Sequence, residues 1–255
     1  MATRDRATIG DPCWVDHMSN DVEATRRFYT EVFGWEAGEA AEEFGGYFQF
    51  FRGGVPIAGA APNMTGAAMP DLWSVYIAVD DADATVAAAQ AAGGSVVVPA
   101  MKVADLGTMA VLTDPGNAAI GIWAPDTFQG FGVLDEVGAP KWFELHSRDF
   151  ATAVPFYREV FNWETAVVSD TDEFRYTTAN HGDHQFAGMM DSSNFLPEGV
   201  PAHWRVYFGV ADVDATVAKI VELGGTVQMA PEDTPYGRMA AVADNGGASF
   251  SVMNS

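Results

Sequence analysis

Apolar and polar positions along the chain follow a repeating plan. Residues 13–19 form a short, partly apolar run of strand length. Asp21 follows at a helix N-cap position, where its carboxylate can accept from unpaired backbone N–H groups. From Val22 the spacing turns helical: Val22, Phe28, Val32 and Phe33 share one stripe, Arg26, Arg27 and Glu31 stay on the wet face, and Gly34 ends the helix. Residues 42–51 and 55–61 read as strands joined by the turn Arg52-Gly53-Gly54. After a Pro-, Gly- and Met-rich linker at 62–70 the plan restarts. It runs through a strand at 73–79, the cap Asp81 and an Ala-rich helix at 82–92 closed by Gly93-Gly94. Strands at 95–101, 108–113 and 118–123 follow, the last two joined by the turn Asp114-Pro115-Gly116-Asn117. Residues 1–11 are polar and are expected to fray.

The whole arrangement then returns. Trp14 to Glu36 reappears 128 positions later as Trp142 to Glu164, with Asp21 and Phe28 matched by Asp149 and Phe156. Tyr76-Ile77-Ala78-Val79 matches Tyr207-Phe208-Gly209-Val210, and Gly107-Thr108-Met109-Ala110 matches Gly237-Arg238-Met239-Ala240. The chain is a duplication, and each half is itself two βαβββ modules, so the plan is α+β with four modules in tandem. The boundaries fall at 12–128 for the first domain (modules 12–62 and 71–125) and 138–255 for the second (modules 139–192 and 202–255), with a linker at 129–137.

Composition narrows the function classes. A formal charge of −22 argues against nucleic acid, whose phosphates need a Lys/Arg footprint, and against an anionic membrane surface. It favours a cationic ligand at long range, although acidic surfaces also serve solubility alone. Cys13 is the single cysteine, so neither an internal disulfide nor a thiolate metal cluster is available. Arg4 and Arg6 lead into no apolar segment, and the longest uncharged stretch, 53–70, is full of Gly, Pro and Ala. Neither a signal peptide nor a membrane helix is expected, and a cytoplasmic protein is.

Four βαβββ modules, each opened by an acidic cap and two of them carrying Phe-Tyr in the first helix, resemble the vicinal oxygen chelate (VOC) superfamily. That superfamily holds glyoxalases, extradiol dioxygenases and bleomycin-resistance proteins. The tandem Trp…Phe-Tyr…Trp pattern is most similar to the two-domain glyoxalase-like proteins of actinobacteria. The resemblance implies two domains, each a cupped mixed sheet with helices outside. It also implies a place for a divalent metal, bound by His and Glu from the first and last strands of each module.

Counting back from the caps, the resemblance puts those ligand positions at Trp14, Ser74, Trp142 and Arg205, and by pattern at Gly59, Gly121, Gly188 and Ser251. None can serve as an imidazole or carboxylate ligand, and an Arg repels a cation. The expectation is a protein without the usual metal and with no cofactor. A divalent metal is kept as an alternative through a shifted set, Glu144, His146 and His203, which alternation places on the cup side of their strands. His17 and Cys13 alternate away from the cup, Trp35 and Trp163 read as core, and His181 and His184 flank a turn.

Pocket candidates follow from the same alternation. Half two offers Trp142, Glu144, His146, His203, Arg205, Tyr207 and Ser251, a set suited to a carboxylate or a flat conjugated ligand. Glu144 is either an acid–base group or the structural partner of Arg205 across two strands. Half one offers Trp14, Asp16, Ser74 and Tyr76, with Asp16 an uncompensated carboxylate suited to a cationic or hydrogen-donating group. Three readings stand: a metal-free small-molecule binder with two non-equivalent pockets, a glyoxalase-like lyase or related enzyme using Glu144 or Asp16, and a regulatory or interaction protein with vestigial pockets. The expected partner is a small molecule. A monomer built as a pseudo-dimer, or a weak homodimer, is expected.

Overall fold

A computed structural model describes residues 6–64 and 70–254. In the first half, β1 (Pro12–Ser19) leads through α1 (Val22–Phe33) to β2 (Glu36–Ala37), β3 (Phe48–Arg52) and β4 (Val55–Pro62). The second module has β5 (Leu72–Ala78), α2 (Ala82–Ala91), β6 (Ser95–Val103), β7 (Gly107–Thr113) and β8 (Ala119–Pro125). The second half repeats this with β9 (Pro140–Ser147), α3 (Phe150–Phe161), β10 (Glu164–Asp170), β11 (Arg175–His181) and β12 (His184–Asp191). It ends with β13 (His203–Val210), α4 (Val213–Glu222), β14 (Thr226–Thr234), β15 (Gly237–Ala243) and β16 (Ser249–Asn254). Each of the four α-helices among the described residues begins at an aspartate, Asp21, Asp81, Asp149 and Asp212, whose side chain accepts from a backbone N–H three residues on.

Each half is one mixed sheet of eight strands, in the orders β2-β3-β4-β1-β5-β8-β7-β6 and β10-β11-β12-β9-β13-β16-β15-β14. Modules therefore pair within a half, through β1 against β5 and β9 against β13. The linker at 62–70 lies partly outside the described residues.

Two expectations are corrected. Residues 42–44 form a 3-10 turn rather than the start of a strand, because Gly45 and Gly46 follow at positive φ (66° and 86°) and reverse the chain before β3. Residues 8–11 are not frayed. The Gly10 N–H donates to Ala78 O at 2.8 Å, Trp163 Nε1 donates to Gly10 O at 2.6 Å, and Asp11 is buried.

The core is shared between the halves. Phe33 and Trp35 pack on Phe208 of the other half at 5.2 Å between ring centroids, and Tyr29 reaches Phe250. Tyr29 Oη donates to Asp244 Oδ2 (2.9 Å) across the divide, and Tyr157 faces Asp114 (3.4 Å) in the reciprocal sense. The tyrosine of each first helix thus serves the tight turn of the opposite half. Trp35 and Trp163 are buried, and their indole N–H groups donate to Gly138 O and Gly10 O. His17 is fully buried on the side away from the cup, with Nε2 at 2.7 Å from Asp244 Oδ2. Its counterpart by the repeat is Leu145, so this cross-half contact has no twin.

Candidate functional site

Strand register decides which side chains meet in each cup. In half one, Gly59, Asp16 and Ser74 form one row across β4, β1 and β5, and Trp14, Tyr76 and Gly121 form another across β1, β5 and β8. Half two has the rows Gly188–Glu144–Arg205 and Trp142–Tyr207–Ser251. The ligand-equivalent positions Trp14 and Gly59, and likewise Trp142 and Gly188, therefore fall in different rows, and the parallel ladders set the acids Asp16 and Glu144 beside Gly59 and Gly188.

The glycines are occupied space. A Cβ on Gly59 would stand 2.0 Å from Tyr47 Oη, and one on Gly188 would stand 1.9 Å from Tyr176 Oη. The two hydroxyls play the same part. Tyr47 Oη donates to Asp16 Oδ1 (2.9 Å) and accepts from Trp14 Nε1 (2.9 Å), while Tyr176 Oη donates to Glu144 Oε2 (2.7 Å) and accepts from Trp142 Nε1 (3.1 Å). Tyr47 and Tyr176 were missed in the sequence, although each stands 12 positions before its last-strand glycine.

Asp16 is therefore not uncompensated. Trp14 Nε1 donates to it at 2.9 Å, and Tyr76 bonds to it as well. Burial nevertheless raises its carboxyl to about 6, against the opposing pull of Tyr47, Trp14 and Tyr76. Over this cup the chain leaving β8 folds back: Phe128 packs edge-on against Trp14 at 4.8 Å, and Phe131 lies at 5.5 Å from it.

Half two is open. A cavity of about 1510 Å³ has Trp142, Glu144, His146, Arg205, Tyr207 and Ser251 among its lining residues, and residues 8, 9, 11 and 12 of the first half wall one side. Asp11 meets His181 Nε2 there at 2.9 Å. Glu144 is held by Tyr176, by Tyr207 Oη (2.8 Å) and by His146 Nε2, 3.1 Å from Oε1. Burial works to raise its carboxyl, but His146 and the two hydroxyls outweigh that and hold it below the ordinary range. The alternative of a Glu144–Arg205 ion pair is not realised: both carboxylate oxygens are taken by other groups. Arg205 Nη2 donates to Gln228 Oε1 at 3.3 Å, and its buried Nε has no hydrogen-bond partner among the described residues.

The shifted metal set is brought together without converging. His146 and His203 stack face to face, with centroids 5.0 Å apart and planes 2° from parallel. His146 Nδ1 lies 3.3 Å from Ser192 Oγ and His203 Nδ1 lies 3.0 Å from Pro201 O. Burial lowers the His203 imidazole to about 4, so it is neutral at pH 7. The residues do not fit the superfamily's metal in either cup: where a last-strand carboxylate would stand, a tyrosine hydroxyl stands instead. A separate trio, His17, Asp71 and Asp244, has ligand atoms within 4.8 Å of one another. His17 Nε2 and Asp244 face each other, Asp244 is also held by Tyr29 and the backbone of the 244–248 turn, and Asp71 accepts from Asn20, while the buried His17 Nδ1 has no hydrogen-bond partner among the described residues.

Two eight-stranded cups, each closed from a pair of βαβββ modules with its candidate side chains on the concave face, define a tandem VOC-type protein. The chain belongs to the Glyoxalase/Bleomycin resistance protein/Dioxygenase superfamily, whose pattern matches residues 14–122 and 140–252. It is 38% identical to the glyoxylase candidate CFP32 of Mycobacterium tuberculosis, over 99% of this chain and 98% of that protein. It is also 38% identical to the anthracycline biosynthesis protein DauV of Streptomyces sp. (strain C5), over 97% of this chain and 94% of that one. Among solved structures, the Mn(II)-bound glyoxalase from Novosphingobium aromaticivorans superimposes with a TM-score of 0.66 at 17% identity, covering 96% of this chain and 82% of that one. The 2,3-dioxygenase LapB from Pseudomonas sp. KL28 gives 0.63 at 16% identity, covering 98% and 93%. No helix among the described residues is long and apolar enough to cross a membrane.

Proposed function

We propose that the protein binds a small organic molecule in the cup of the second half, without a metal, and that the two cups are not equivalent. The observation that carries this reading is Arg205. It lines the 1510 Å³ cavity and keeps a buried guanidinium Nε without a partner. A carboxylate or carbonyl on a ligand in the cavity meets this guanidinium with a charge-assisted contact worth roughly 1.5–3 kcal/mol. Ionised Glu144, already holding three partners, acts here as a fixed brace that orients Tyr176 and Tyr207. The Streptomyces relatives, named for anthracycline biosynthesis, support a role with a small organic molecule.

A second reading rests on Asp16. A carboxyl raised to about 6 is poised for proton transfer near neutral pH, which favours lyase-like chemistry in the first cup. Calorimetry separates the two. Aromatic carboxylates should bind wild type and lose about tenfold or more in Arg205→Ala, while Asp16→Asn binds them unchanged. Equal affinity in wild type and Arg205→Ala would remove the second cup as the binding site. Protein purified without chelator should carry well under one equivalent of divalent metal, and a stoichiometric metal that survives dialysis refutes the metal-free reading.

A further inference from the structure

The two cups hold their central indoles alike and cover them differently. Trp14 Nε1 donates to Tyr47 Oη and Trp142 Nε1 to Tyr176 Oη, and each hydroxyl serves the acid of its own cup. Trp123 of β8 pairs with Ala78 as Met253 of β16 pairs with Gly209, two residues beyond the cup-facing Gly121 and Ser251. Trp123 and Met253 are therefore matched positions on the two concave faces. In the first cup Phe128 packs against both indoles, 4.8 Å from Trp14 at 89° and 6.0 Å from Trp123 at 74°, and Trp123 Nε1 donates to its carbonyl at 2.9 Å. The Phe128 N–H donates to Leu106 O at 3.1 Å, and three residues on the Phe131 N–H donates to Cys13 O at 2.8 Å. Between them Gly130 runs so close to β1 that a Cβ there would stand 2.2 Å from Cys13 O. The ring is thus fixed from both sides. Trp14 is only 4% exposed beneath it, whereas Trp142 is half-buried, lines the open cavity together with Met253, and has no ring packed on it among the described residues.

We propose that Phe128 is a built-in occupant of the first cup, and that it marks where an aromatic ring of the ligand seats against Trp142 in the second. The proposal rests on the reading of the second cup given above and adds the seat for the ring of an aromatic carboxylate whose oxygens meet Arg205. Register allows a single ring to do both. On the antiparallel pair β9–β13, Trp142 faces Tyr207 and Glu144 faces Arg205, so Trp142 and Arg205 are diagonal neighbours on one face. Such neighbours stand about 7–8 Å apart, within reach of a long side chain and one ring. The polar groups agree with this division. Ser74 faces Asp16 in the first cup as Arg205 faces Glu144 in the second. An uncharged phenyl fixed to the chain needs no anchor, whereas a free ligand does.

The test uses the full chain, with benzoate, cyclohexanecarboxylate and toluene as probes in calorimetry. Wild type should bind benzoate at least about threefold more tightly than its saturated analogue, because only the flat ring gains edge-to-face packing on the indole. Trp142→Leu should abolish that preference, while Arg205→Ala should weaken both carboxylates and keep it. Phe128→Ala should gain one toluene site per chain, as emptied apolar sites take up such rings, and leave benzoate affinity unchanged. Equal affinities of wild type for the two carboxylates, or a preference that survives in Trp142→Leu, overturns the ring seat and leaves the Arg205 anchor standing. A Phe128→Ala chain that is folded by far-ultraviolet dichroism but gains no toluene site overturns the role given to Phe128. Should that variant fail to fold, the comparison of the carboxylates decides alone. If neither carboxylate binds wild type, the seat and the reading of the cup fall together.

Discussion

Removing Asp244 should cost far more than removing its pseudo-symmetric counterpart Asp114. Asp244 Oδ2 accepts from Tyr29 Oη at 2.9 Å and lies 2.7 Å from His17 Nε2, while Oδ1 accepts from the backbone N–H groups of Gly246 and Ala248 at 2.9 and 2.8 Å. His17 and Tyr29 are fully buried, so Asp244→Ala leaves an imidazole and a phenol facing each other without an acceptor. Leaving a buried hydrogen-bonding group unpaired costs about 1–3 kcal/mol, and here two groups lose their acceptor at once. Asp114 accepts from Ala118 N at 2.8 Å, but Tyr157 Oη stands at 3.4 Å, and Leu145 replaces the histidine. Its loss should cost about 1–3 kcal/mol, the range for an unsatisfied neutral group. A gap of about 2 kcal/mol corresponds to roughly 4–8 °C in Tm for a chain of this size. Calorimetric scans of both alanine variants at pH 7 measure it directly. An equal or larger fall for Asp114→Ala would refute the assignment of the cross-half contact to His17. The pH sign is also defined. Burial works to raise the Asp244 carboxyl, but His17, the backbone and Tyr29 hold it below the ordinary value. Its stabilisation is therefore present above the ordinary carboxylate pKa and lost as pH falls through the depressed one.

Asp16 has the opposite sign. Its carboxyl is raised to about 6, so the folded state holds a proton that the unfolded state has released, and stability declines as pH rises from about 4 to above 6. In urea denaturation the stability of wild type relative to Asp16→Asn should fall by on the order of 3 kcal/mol between pH 4 and pH 7, and parallel pH profiles would contradict this. Gly188→Ala places a methyl 1.9 Å from Tyr176 Oη and must displace that ring from Glu144. A loss of about 1–3 kcal/mol together with weaker ligand binding is expected by chemical denaturation and titration, and an unperturbed variant would show that the tyrosine is mobile. The fragment 138–255 closes its own sheet but bares Phe208 and Phe250, which pack against Phe33, Trp35 and Tyr29 in the full chain. It should self-associate in sedimentation, and a monomer with native near-ultraviolet dichroism would show that the shared core is dispensable.

The module plan was legible because it is written locally: a capping aspartate, a helical stripe and a glycine or asparagine stop recur in sequence. Alternation along one strand was enough to turn His17 away from the cup and to place Glu144, His146 and His203 together. What crosses between strands was harder to read. Counting from a helix cap fixes a position along its own strand but carries no information on the register of the parallel partner, so the pairing of Gly59 with Asp16 was not readable. Tyr47 and Tyr176 escaped for the same reason, since their roles exist only once β3 and β11 lie beside the last strands of their modules. Residues 8–11 looked like a polar leader because their partners, Ala78, Trp163 and His181, are distant in sequence.

The segment at 8–12 also makes the second cup a joint property of both halves. It hangs on β5 of the first half through Gly10 and on the second half through Trp163 and His181, while forming one wall of the cavity. Binding and docking are then reciprocal. Whatever free energy a ligand draws from that wall, it returns in equal measure as resistance to the parting of the halves. A ligand of the second cup therefore acts as a removable fastener for the whole chain. Its presence should be readable in the first half, through slower amide exchange in β1 and β5, at a distance from any atom it touches.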